Sequence, residues 1–292
     1  MKYFILSASA LSLLAACGGG GSDSAAFSDR PEFASFAEAQ TEGGDYRADG
    51  TVTSARYEVS SDGTVTITDG PDTERDAVAG LSFEDEVITA LKVRDSNADI
   101  TLAEENGDYM MVTDGYIIAA TEDGGDVAIV GDTDQLGYNY QSYGIWQTGL
   151  NGTSGRAAAG SFGAETASSE MPDAGTASYY GESVGQVVTD GVDYATQSDV
   201  YVETDFEDVY VSSAGTYAYD PIEDEYVEGR SDLDFEAIGS LDGSGFNAEI
   251  ADADMAGDVA GQFYGPGAEE VGGTFSAVTD DSAYLGSFGA SQ

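Results

Sequence analysis

Short runs of alternating polar and apolar residues, separated by turn pairs, fill the chain from residue 46 onward. Residues 51–57 and 64–68 alternate in this way, and Asp62-Gly63 stands between them where a hairpin would turn. The 39 glycines suit turns and the bends of curved sheets better than helix packing. Further turn pairs occur at Asp69-Gly70, Asn106-Gly107, Asp114-Gly115, Asp190-Gly191 and Asp242-Gly243. The pattern predicts an all-β chain. It also predicts a short helix over residues 30–40, beginning at Ser28 or Asp29. The secondary structure of residues 83–91 is ambiguous from the pattern.

The spacing of the runs divides the chain near residues 135–141. A small strand-rich region, residues 46–140, comes first. Residues 141–292 follow, and this length is enough for about eight strands of roughly 9–11 residues with their loops. Closing such strands into an up-and-down barrel removes exposed strand edges. We therefore expect an eight-stranded antiparallel β-barrel after the N-terminal region.

The first residues have the layout of a bacterial lipoprotein signal. Lys2 supplies a positive charge, and residues 4–16 are almost entirely apolar or small, a run too short for a stable membrane-spanning helix. The run ends at Leu14-Ala15-Ala16-Cys17, which predicts removal of residues 1–16 and acylation of Cys17. A plain secretory signal with an incidental cysteine is the alternative. Residues 17–45 would hold the acylated cysteine and a flexible tether, anchoring the protein to the outer membrane.

The charge of the chain excludes several classes of partner. Asp and Glu total 55 against 9 Lys and Arg, giving a formal net charge of −46. Nucleic acid and anionic lipid head groups would be repelled. Two explanations of the acidity stay open: a solvating surface typical of salt-rich habitats, or a field that attracts a basic partner. The 18 tyrosines and 12 phenylalanines favour a packed domain over disorder.

The sequence lacks the residues that most catalytic and cofactor-binding sites need. The chain has no histidine and one cysteine, so Ser-His-Asp and Cys-His arrangements, histidine metal sites and disulfides are excluded. We expect no catalytic residue, no cofactor and no enzymatic activity. Haem would need a tyrosine or methionine ligand. The candidates, whose strand spacing favours packing instead, are Tyr109, Met110, Met111 and Tyr116.

Two acidic stretches resemble calcium-binding sequences in part. Residues 95–99 have the spacing of the first calcium-loop ligands, but Ile100 and Asn106 occupy the positions that need Gly and Glu. The second stretch contains Asp252, Asp254 and Asp258, a pattern typical of a solvated loop. We therefore expect no dedicated metal site.

The most distinctive stretch, residues 261–275, reads as a hairpin. Pro266-Gly267 is a turn pair between two strands. Gly261, Phe263 and Gly265 share one face at period two, so the glycines leave room for a neighbouring ring or backbone beside Phe263.

This hairpin closely resembles the G-x-F-Y-G-P-x-A-x-E-x-G-G-x-F signature of the transferrin-binding protein B barrel family. Residues 143–146 resemble the opening strand of those barrels, residues 171–181 their P-x-x-G-T-A-x-Y-x-G strand, and residues 286–290 their closing strand. The resemblance covers roughly residues 141–292. The matching signature positions are Gly261, Phe263, Tyr264, Gly265, Pro266, Ala268, Glu270, Gly272, Gly273 and Phe275.

The resemblance implies a surface lipoprotein in which residues 46–140 form a handle-like subdomain before the barrel. It also implies a non-enzymatic binding module that captures a protein or small ligand, as in iron or nutrient acquisition. The signature positions are structural in that family, so no binding residue carries over, and the two-lobed receptors differ from the single lobe expected here. The alternative is a structural lipoprotein that docks onto a membrane protein of its own cell.

Replacing Cys17 by serine tests the anchor. The thiol is the acylation site that the signal predicts, so Cys17→Ser is expected to move the protein from the membrane fraction to the soluble fraction of its own cells. Ser22→Ala, in the same tether, is the control and should stay with the membranes. Retention of the serine variant in the membrane fraction would contradict the anchor.

Overall fold

The computed structural model describes residues 30–85, 87–94, 99–113, 115–188, 195–220, 225–251, 255–278 and 282–292. The signal peptide, Cys17 and the tether up to residue 29 lie outside these residues, as do residues 95–98, Asp114, Asp190, Gly191, Asp252 and Asp254. Within the described ranges, no helix is long and apolar enough to cross a bilayer. The same ranges hold no group of three or more acidic or cysteine side chains arranged to hold a metal ion.

The all-β prediction is confirmed, and strands make up most of the described chain. The helices are α1 (Phe36–Glu42) and α2 (Thr133–Leu136), with 3₁₀ turns at Glu104–Asn106 and Ser231–Leu233. The first nine strands are β1 (Gly44–Val59), β2 (Val65–Glu84), β3 (Val87–Arg94), β4 (Ile100–Ala103), β5 (Tyr109–Val112), β6 (Tyr116–Ala120), β7 (Val127–Gly131), β8 (Gln141–Thr148) and β9 (Ser154–Gly163). The other nine are β10 (Ala177–Val188), β11 (Ala195–Thr204), β12 (Asp208–Asp220), β13 (Glu225–Gly229), β14 (Phe235–Asp242), β15 (Gly245–Ala251), β16 (Ala256–Tyr264), β17 (Glu270–Val278) and β18 (Ala283–Ser291).

The short N-terminal helix begins later than the sequence predicts. Glu32 bridges to Arg47 in extended backbone, and α1 starts after Ser35, whose Oγ accepts the N–H of Glu38 at 3.2 Å. Pro31 disfavours a helical conformation at the residue before it, and serine is a favourable N-cap. Local capping therefore moves the start of the helix to Phe36.

Strands β1 to β9 form one nine-stranded sheet, here called the first domain, in the order β4-β3-β2-β1-β9-β8-β7-β6-β5. The predicted boundary at residues 140/141 differs from this arrangement, because β8 and β9 belong to the first sheet and do not open the barrel. Strand β8 pairs with β7 and β9, and β9 pairs with β1. Trp146 and Phe162 on these strands pack into the core of the first domain. A strand pattern does not state which sheet the strand joins, so contacts far apart in sequence decided this point.

The turn pairs have mixed outcomes. Asp62-Gly63 joins β1 to β2, and Asp242-Gly243 joins β14 to β15, as predicted. Asn106-Gly107 ends a 3₁₀ turn, with Gly107 at φ 84°. The prediction of a turn at Asp69-Gly70 is wrong: both residues lie inside β2, where β1 and β2 change register. Residues 83–91 contain the end of β2 and the start of β3.

The predicted eight-stranded barrel is confirmed, with its first strand at Ala177. Strands β10, β11, β12, β14, β15, β16, β17 and β18 pair in a closed antiparallel ring, since β10 pairs with β18 and β11 with β12. Residues 286–290 lie in β18, the strand that closes the ring. Strand β13 pairs with the last residues of β12, beyond the part of β12 that pairs with β14.

The barrel interior is a packed aromatic core. Along β11, Val200 and Val202 are buried while Tyr201 and Glu203 face outward, the alternation expected of a barrel strand. Phe275 packs with its ring centroid 5.0 Å from that of Phe235 on β14. Aromatic side chains dominate such a core because each buries a large area and tilted pairs are favourable. The rings inside the barrel are Tyr179, Phe235, Phe246, Phe263, Phe275, Tyr284 and Phe288.

Adding one methyl group at Gly261 tests this packing. A Cβ at Gly261 would overlap the ring of Phe246, so Gly261→Ala is expected to lower the free energy of unfolding by about 1–3 kcal/mol. Urea unfolding measures the change. Gly229→Ala on β13 is the control, because its Cβ would meet only the Tyr226 hydroxyl at 3.3 Å, and should change stability by less than about 0.5 kcal/mol. Equal stability of the two variants would contradict the packing argument.

Candidate functional site

The signature hairpin points its side chains alternately into the barrel and towards the first domain. Phe263 and Phe275 belong to the barrel core, with Phe263 lying 5.7 Å from the ring of Tyr179. Gly261 has no side chain, and this leaves room for the ring of Phe246. Tyr264, the next residue after Phe263, faces the first domain and shares a hydrogen bond with Ser161 Oγ at 3.1 Å. One hairpin thus serves both the core and the domain contact.

The turn of the hairpin has backbone angles that suit its residues. Gly265 at φ 82° and Gly267 at φ 111° flank Pro266, and Ala268 follows at φ 61°. A non-glycine residue with positive φ is uncommon and needs local support. That support comes from the Ala268 carbonyl, which accepts the Tyr179 hydroxyl at 2.8 Å. Glycine at the two flanking positions avoids the cost of a Cβ in this conformation.

Glu270 lies at the start of β17 and binds the first domain. Its carboxylate accepts the backbone N–H groups of Asn139 at 2.6 Å, Tyr140 at 3.0 Å and Gln141 at 3.1 Å. The side chain is buried, so burial raises the pKa of the Glu270 carboxyl, while the three N–H groups act in the opposite direction. Charge-assisted bonds to backbone N–H groups are stronger than neutral ones. The signature glutamate therefore fixes the position at which β8 begins.

Small residues let the two domains approach closely around Glu270. A Cβ at Gly272 would lie 2.6 Å from Gln141 Oε1, and a Cβ at Gly289 would overlap the same amide. Tyr138 donates its hydroxyl to the Gly289 carbonyl at 2.6 Å. Arg75 on β2 completes the contact at another barrel strand, donating to Asn247 Oδ1 at 2.7 Å. We call this contact the docking seam, formed by Arg75, Tyr138, Gln141, Ser161, Tyr264, Glu270, Gly272 and Gly289.

A different part of the barrel exposes apolar side chains. We call it the tyrosine stripe: Tyr180 on β10, Tyr201 on β11, Tyr210 on β12 and Ile238 on β14. The ring centroids of Tyr180 and Tyr201 are 5.2 Å apart, and those of Tyr201 and Tyr210 are 6.3 Å apart. Ile238 is the register partner of Tyr210. Tyr180 is 65% exposed and Ile238 69% exposed, so the two ends of the stripe are open to solvent.

Carboxylates border the tyrosine stripe. Tyr201 donates its hydroxyl to Glu203 Oε2 at 2.5 Å, and this bond raises the pKa of the phenol. Burial and the nearby Glu236 raise the pKa of Tyr210. Glu249 is the register partner of Ile238 on the far side. From residue 177 to residue 292 the sequence contains one Lys or Arg, Arg230. The stripe therefore presents neutral phenols and an aliphatic side chain in a negative field.

The comparisons with known proteins bear on the barrel. Residues 171–292 match the family model described as the C-lobe and N-lobe beta barrels of Tf-binding protein B. The barrel of this chain is therefore similar to the barrels of the transferrin-binding protein B family. The match begins just before β10 and includes every strand of the closed barrel. The resemblance read from the signature hairpin is confirmed.

Individual relatives cover different shares of the chain. Transferrin-binding protein B of Moraxella catarrhalis is 27% identical over 191 residues, which are 56% of this chain and 26% of that protein, so the matched part is about a quarter of the relative's length. A solved surface lipoprotein is 14% identical with a TM-score of 0.46, covering 83% of this chain and 98% of that one. The haemoglobin receptor HpuA from Kingella denitrificans is 14% identical with a TM-score of 0.41, covering 85% of this chain and 87% of that one.

Sequence reasoning found the seam hairpin of the barrel and missed the tyrosine stripe. Its signal in the sequence is aromatic residues at the outward positions of alternating strands. Which of these residues are neighbours across strands is known only once the strand register is known. The methionine and tyrosine candidates of the first domain lie in two different surroundings and do not form one site. Tyr109 is exposed and donates to Met111 Sδ at 3.0 Å, whereas Tyr116 is buried and lies 3.5 Å from Glu182 Oε2.

Removing the Glu270 carboxylate tests the docking seam. Glu270→Ala leaves three backbone N–H groups without their acceptor, so we expect the free energy of unfolding to fall by about 2–3 kcal/mol in urea. Glu270→Gln keeps one acceptor oxygen and should lose less. The adjacent exposed Glu269, changed to alanine, is the control and should stay near the parent value. Equal losses at positions 269 and 270 would contradict the role given to Glu270.

Proposed function

We propose that this protein is an outer-membrane-anchored surface lipoprotein that captures a protein partner without catalysis, and that the partner binds at the tyrosine stripe. The observation that carries the proposal is a row of side chains on the wall of a closed barrel, exposed at its two ends, Tyr180 and Ile238, half-buried at the two tyrosines between them, and bordered by carboxylates. Aromatic side chains with a polar tip supply most of the binding energy in many protein interfaces. The stripe has both properties.

The position of the stripe supports its use as a binding surface. Strands β12 and β14 lie halfway round the closed ring from β17 and β18, which face the first domain at the docking seam. Docking of the two domains therefore leaves β12 and β14 uncovered. Strand β10 contacts the first domain through Gln186, but its Tyr180 stays open to solvent. The wall is also held by strand pairing on both sides, so its side chains are placed on a rigid element before the partner arrives.

The charge of the stripe indicates the class of partner. Glu203, Glu236 and Glu249 are exposed around it, and Arg230 is the one basic residue of the barrel sequence. A strong negative field accelerates association with a basic surface and repels acidic proteins. The named relatives, a transferrin-binding protein and a haemoglobin receptor, support a protein as the partner. We propose a cationic protein, captured for iron or nutrient acquisition.

Site-specific photocross-linking on intact cells tests the proposal. p-Benzoylphenylalanine placed at Tyr180 is expected to cross-link a basic extracellular protein, because this side chain is open to solvent at the end of the stripe. The same probe at Val278, which is 41% exposed on β17, is the control and should not give this product. Ile238→Asp should weaken binding of the cross-linked protein about thirty-fold, as expected for loss of an anchor worth about 2 kcal/mol.

The outcomes separate the proposal from its rival. A product at position 180 that forms with an extracellular basic protein and weakens with added salt supports capture. A product confined to a membrane protein of the same cell would overturn capture and support a structural role in the envelope. Equal products at positions 180 and 278 would overturn the stripe as the site.

A further inference from the structure

Strand β5 is the last strand of the nine-stranded sheet, and one of its edges has no neighbouring strand. The sheet runs from β4 at one end to β5 at the other. In the described part of the chain β5 pairs with β6 alone, from Tyr109 beside Ala120 to Val112 beside Ile117. Neither the docking seam nor the tyrosine stripe includes β5. An unpaired edge presents a row of backbone N–H and C=O groups to solvent.

The strand register shows which backbone groups of β5 point to the free edge. Thr113 donates its N–H to the Tyr116 carbonyl at 2.8 Å. Hydrogen-bonded pairs recur at every second residue of an antiparallel ladder, so Met111 and Tyr109 also bond to β6. The N–H and C=O groups of Met110 and Val112 therefore point away from β6. Within the described ranges, no other backbone group bonds to them.

Other open edges of the described sheets carry a protection that β5 lacks. On β4, the N–H of Ala103 is accepted by Asp108 Oδ2 at 2.9 Å. Strand β13, at the end of the second sheet, carries the exposed Glu228. Charged side chains and covered edges are the usual means of preventing a further strand from adding. Strand β5 has the sequence Tyr-Met-Met-Val, with no charged residue and no proline.

The side chains of β5 would gain from a further strand. Tyr109 is 55% exposed and Val112 is 56% exposed. Met110 packs against the core of the first domain, so strand alternation places Val112 on the core-facing side and Tyr109 on the opposite side. A strand added at this edge would cover apolar surface on both sides of the sheet. Burial of that surface adds to the free energy of the main-chain hydrogen bonds.

The charge around β5 restricts what can add to it. Between Arg94 and Arg156 the sequence contains no Lys or Arg. The turn before β5 and the loop after β6 meet at one end of the strand, because Tyr109 is the register partner of Ala120. A basic segment is attracted to such a surface and an acidic one is repelled. The exposed carboxylates of the turn and the loop are Glu104, Glu105, Glu122 and Asp123.

We propose that the free edge of β5 binds an extended basic segment of a partner protein, which joins the sheet as a further strand. The outward groups of Met110 and Val112 supply the main-chain hydrogen bonds, as in other cases of strand addition. Apolar side chains of the segment cover Tyr109 and Val112, and Lys or Arg at its ends lies near the carboxylates. A second copy of this chain is excluded as the occupant by its own net charge of −46. This surface is separate from the tyrosine stripe and does not depend on it.

A short strand-forming peptide tests the edge. The peptide acetyl-Lys-Val-Thr-Val-Thr-Val-Lys-amide is titrated into the full chain by calorimetry, and we expect saturable binding. Two further peptides are N-methylated at every second residue, starting from the first valine or from the first threonine. Only one edge of the peptide faces β5, so one of the two should bind at least about ten-fold more weakly and the other should bind like the parent. No saturable binding, or equal weakening by both sets of methyl groups, would overturn the proposal.

A matched pair of variants at position 112 locates the peptide. Val112→Pro removes a donor from the free edge and keeps the ladder with β6, because this N–H points away from β6. We expect it to weaken peptide binding at least about ten-fold, whereas Val112→Thr keeps the N–H and should stay within about three-fold. Ile238→Asp on the tyrosine stripe should leave peptide binding unchanged. Loss of binding in Ile238→Asp but not in Val112→Pro would place the peptide on the stripe and overturn the proposal.

Amide hydrogen exchange gives a measurement that needs no substitution. In the free chain the N–H groups of Met110 and Val112 should exchange fast, and saturating peptide should slow them at least about ten-fold. Those of Tyr109 and Met111 bond to β6 and should be protected in both states. Unchanged exchange at Val112 while the peptide binds would overturn the proposal.

Sedimentation of the full chain without peptide tests the exclusion of a second copy. We expect a monomer for the parent and for Val112→Pro alike, because the net charge opposes pairing of two β5 edges. A dimer of the parent that Val112→Pro dissociates would show that the edge binds another copy of this chain, and it would overturn the partner proposed.

Discussion

The contact between the two domains is organised around one carboxylate, that of Glu270, which accepts three consecutive backbone N–H groups of the first domain. A strand that begins at a domain boundary leaves N–H groups without partners, and burying them unsatisfied is costly. Glu270 supplies the missing acceptor from the barrel, and its neighbours in the hairpin supply the space, through Gly272, and a second contact, through Tyr264. The first sheet and the barrel are therefore held in one fixed arrangement by a hairpin that also belongs to the barrel core.

A net charge of −46 makes the composition of this seam important. Acidic surfaces on two domains repel each other, so a contact between them needs neutral or positive partners. The seam uses them, since Arg75 donates to Asn247 and Tyr138 donates to a carbonyl. Beside the seam, Gln186 on β10 donates to the Ala158 carbonyl at 2.7 Å. Glu270 is buried and faces the start of β8, and backbone N–H groups stabilise its carboxylate in place of a lysine. Exposed acidic residues lie on the outer surface of the barrel, and Glu203, Glu236 and Glu249 surround the tyrosine stripe there.

The sequence predicted the strands and the barrel correctly, but it did not predict which strands pair over long distances. The alternation, the turn pairs and the signature hairpin predicted an all-β chain and an eight-stranded barrel, because strand formation and turn geometry are local. The assignment of β8 and β9 failed for the opposite reason, since pairing partners about a hundred residues apart decided it: β9 pairs with β1. Asp69-Gly70 failed because a glycine with positive φ is compatible with an irregular strand as well as with a turn.

The sequence by itself determined the class of the fold, the identity of the barrel hairpin, the acidic charge and the absence of histidine and of all but one cysteine, because each of these follows from residue types and from spacing along the chain. Only the tertiary structure decided what the signature residues touch, which wall of the barrel stays uncovered, and which sheet β8 and β9 join. The physical reason is that outward and inward positions of a strand are fixed by register and closure. A one-residue shift in pairing would exchange Tyr201 with Val202, and the sequence pattern alone does not contain that choice.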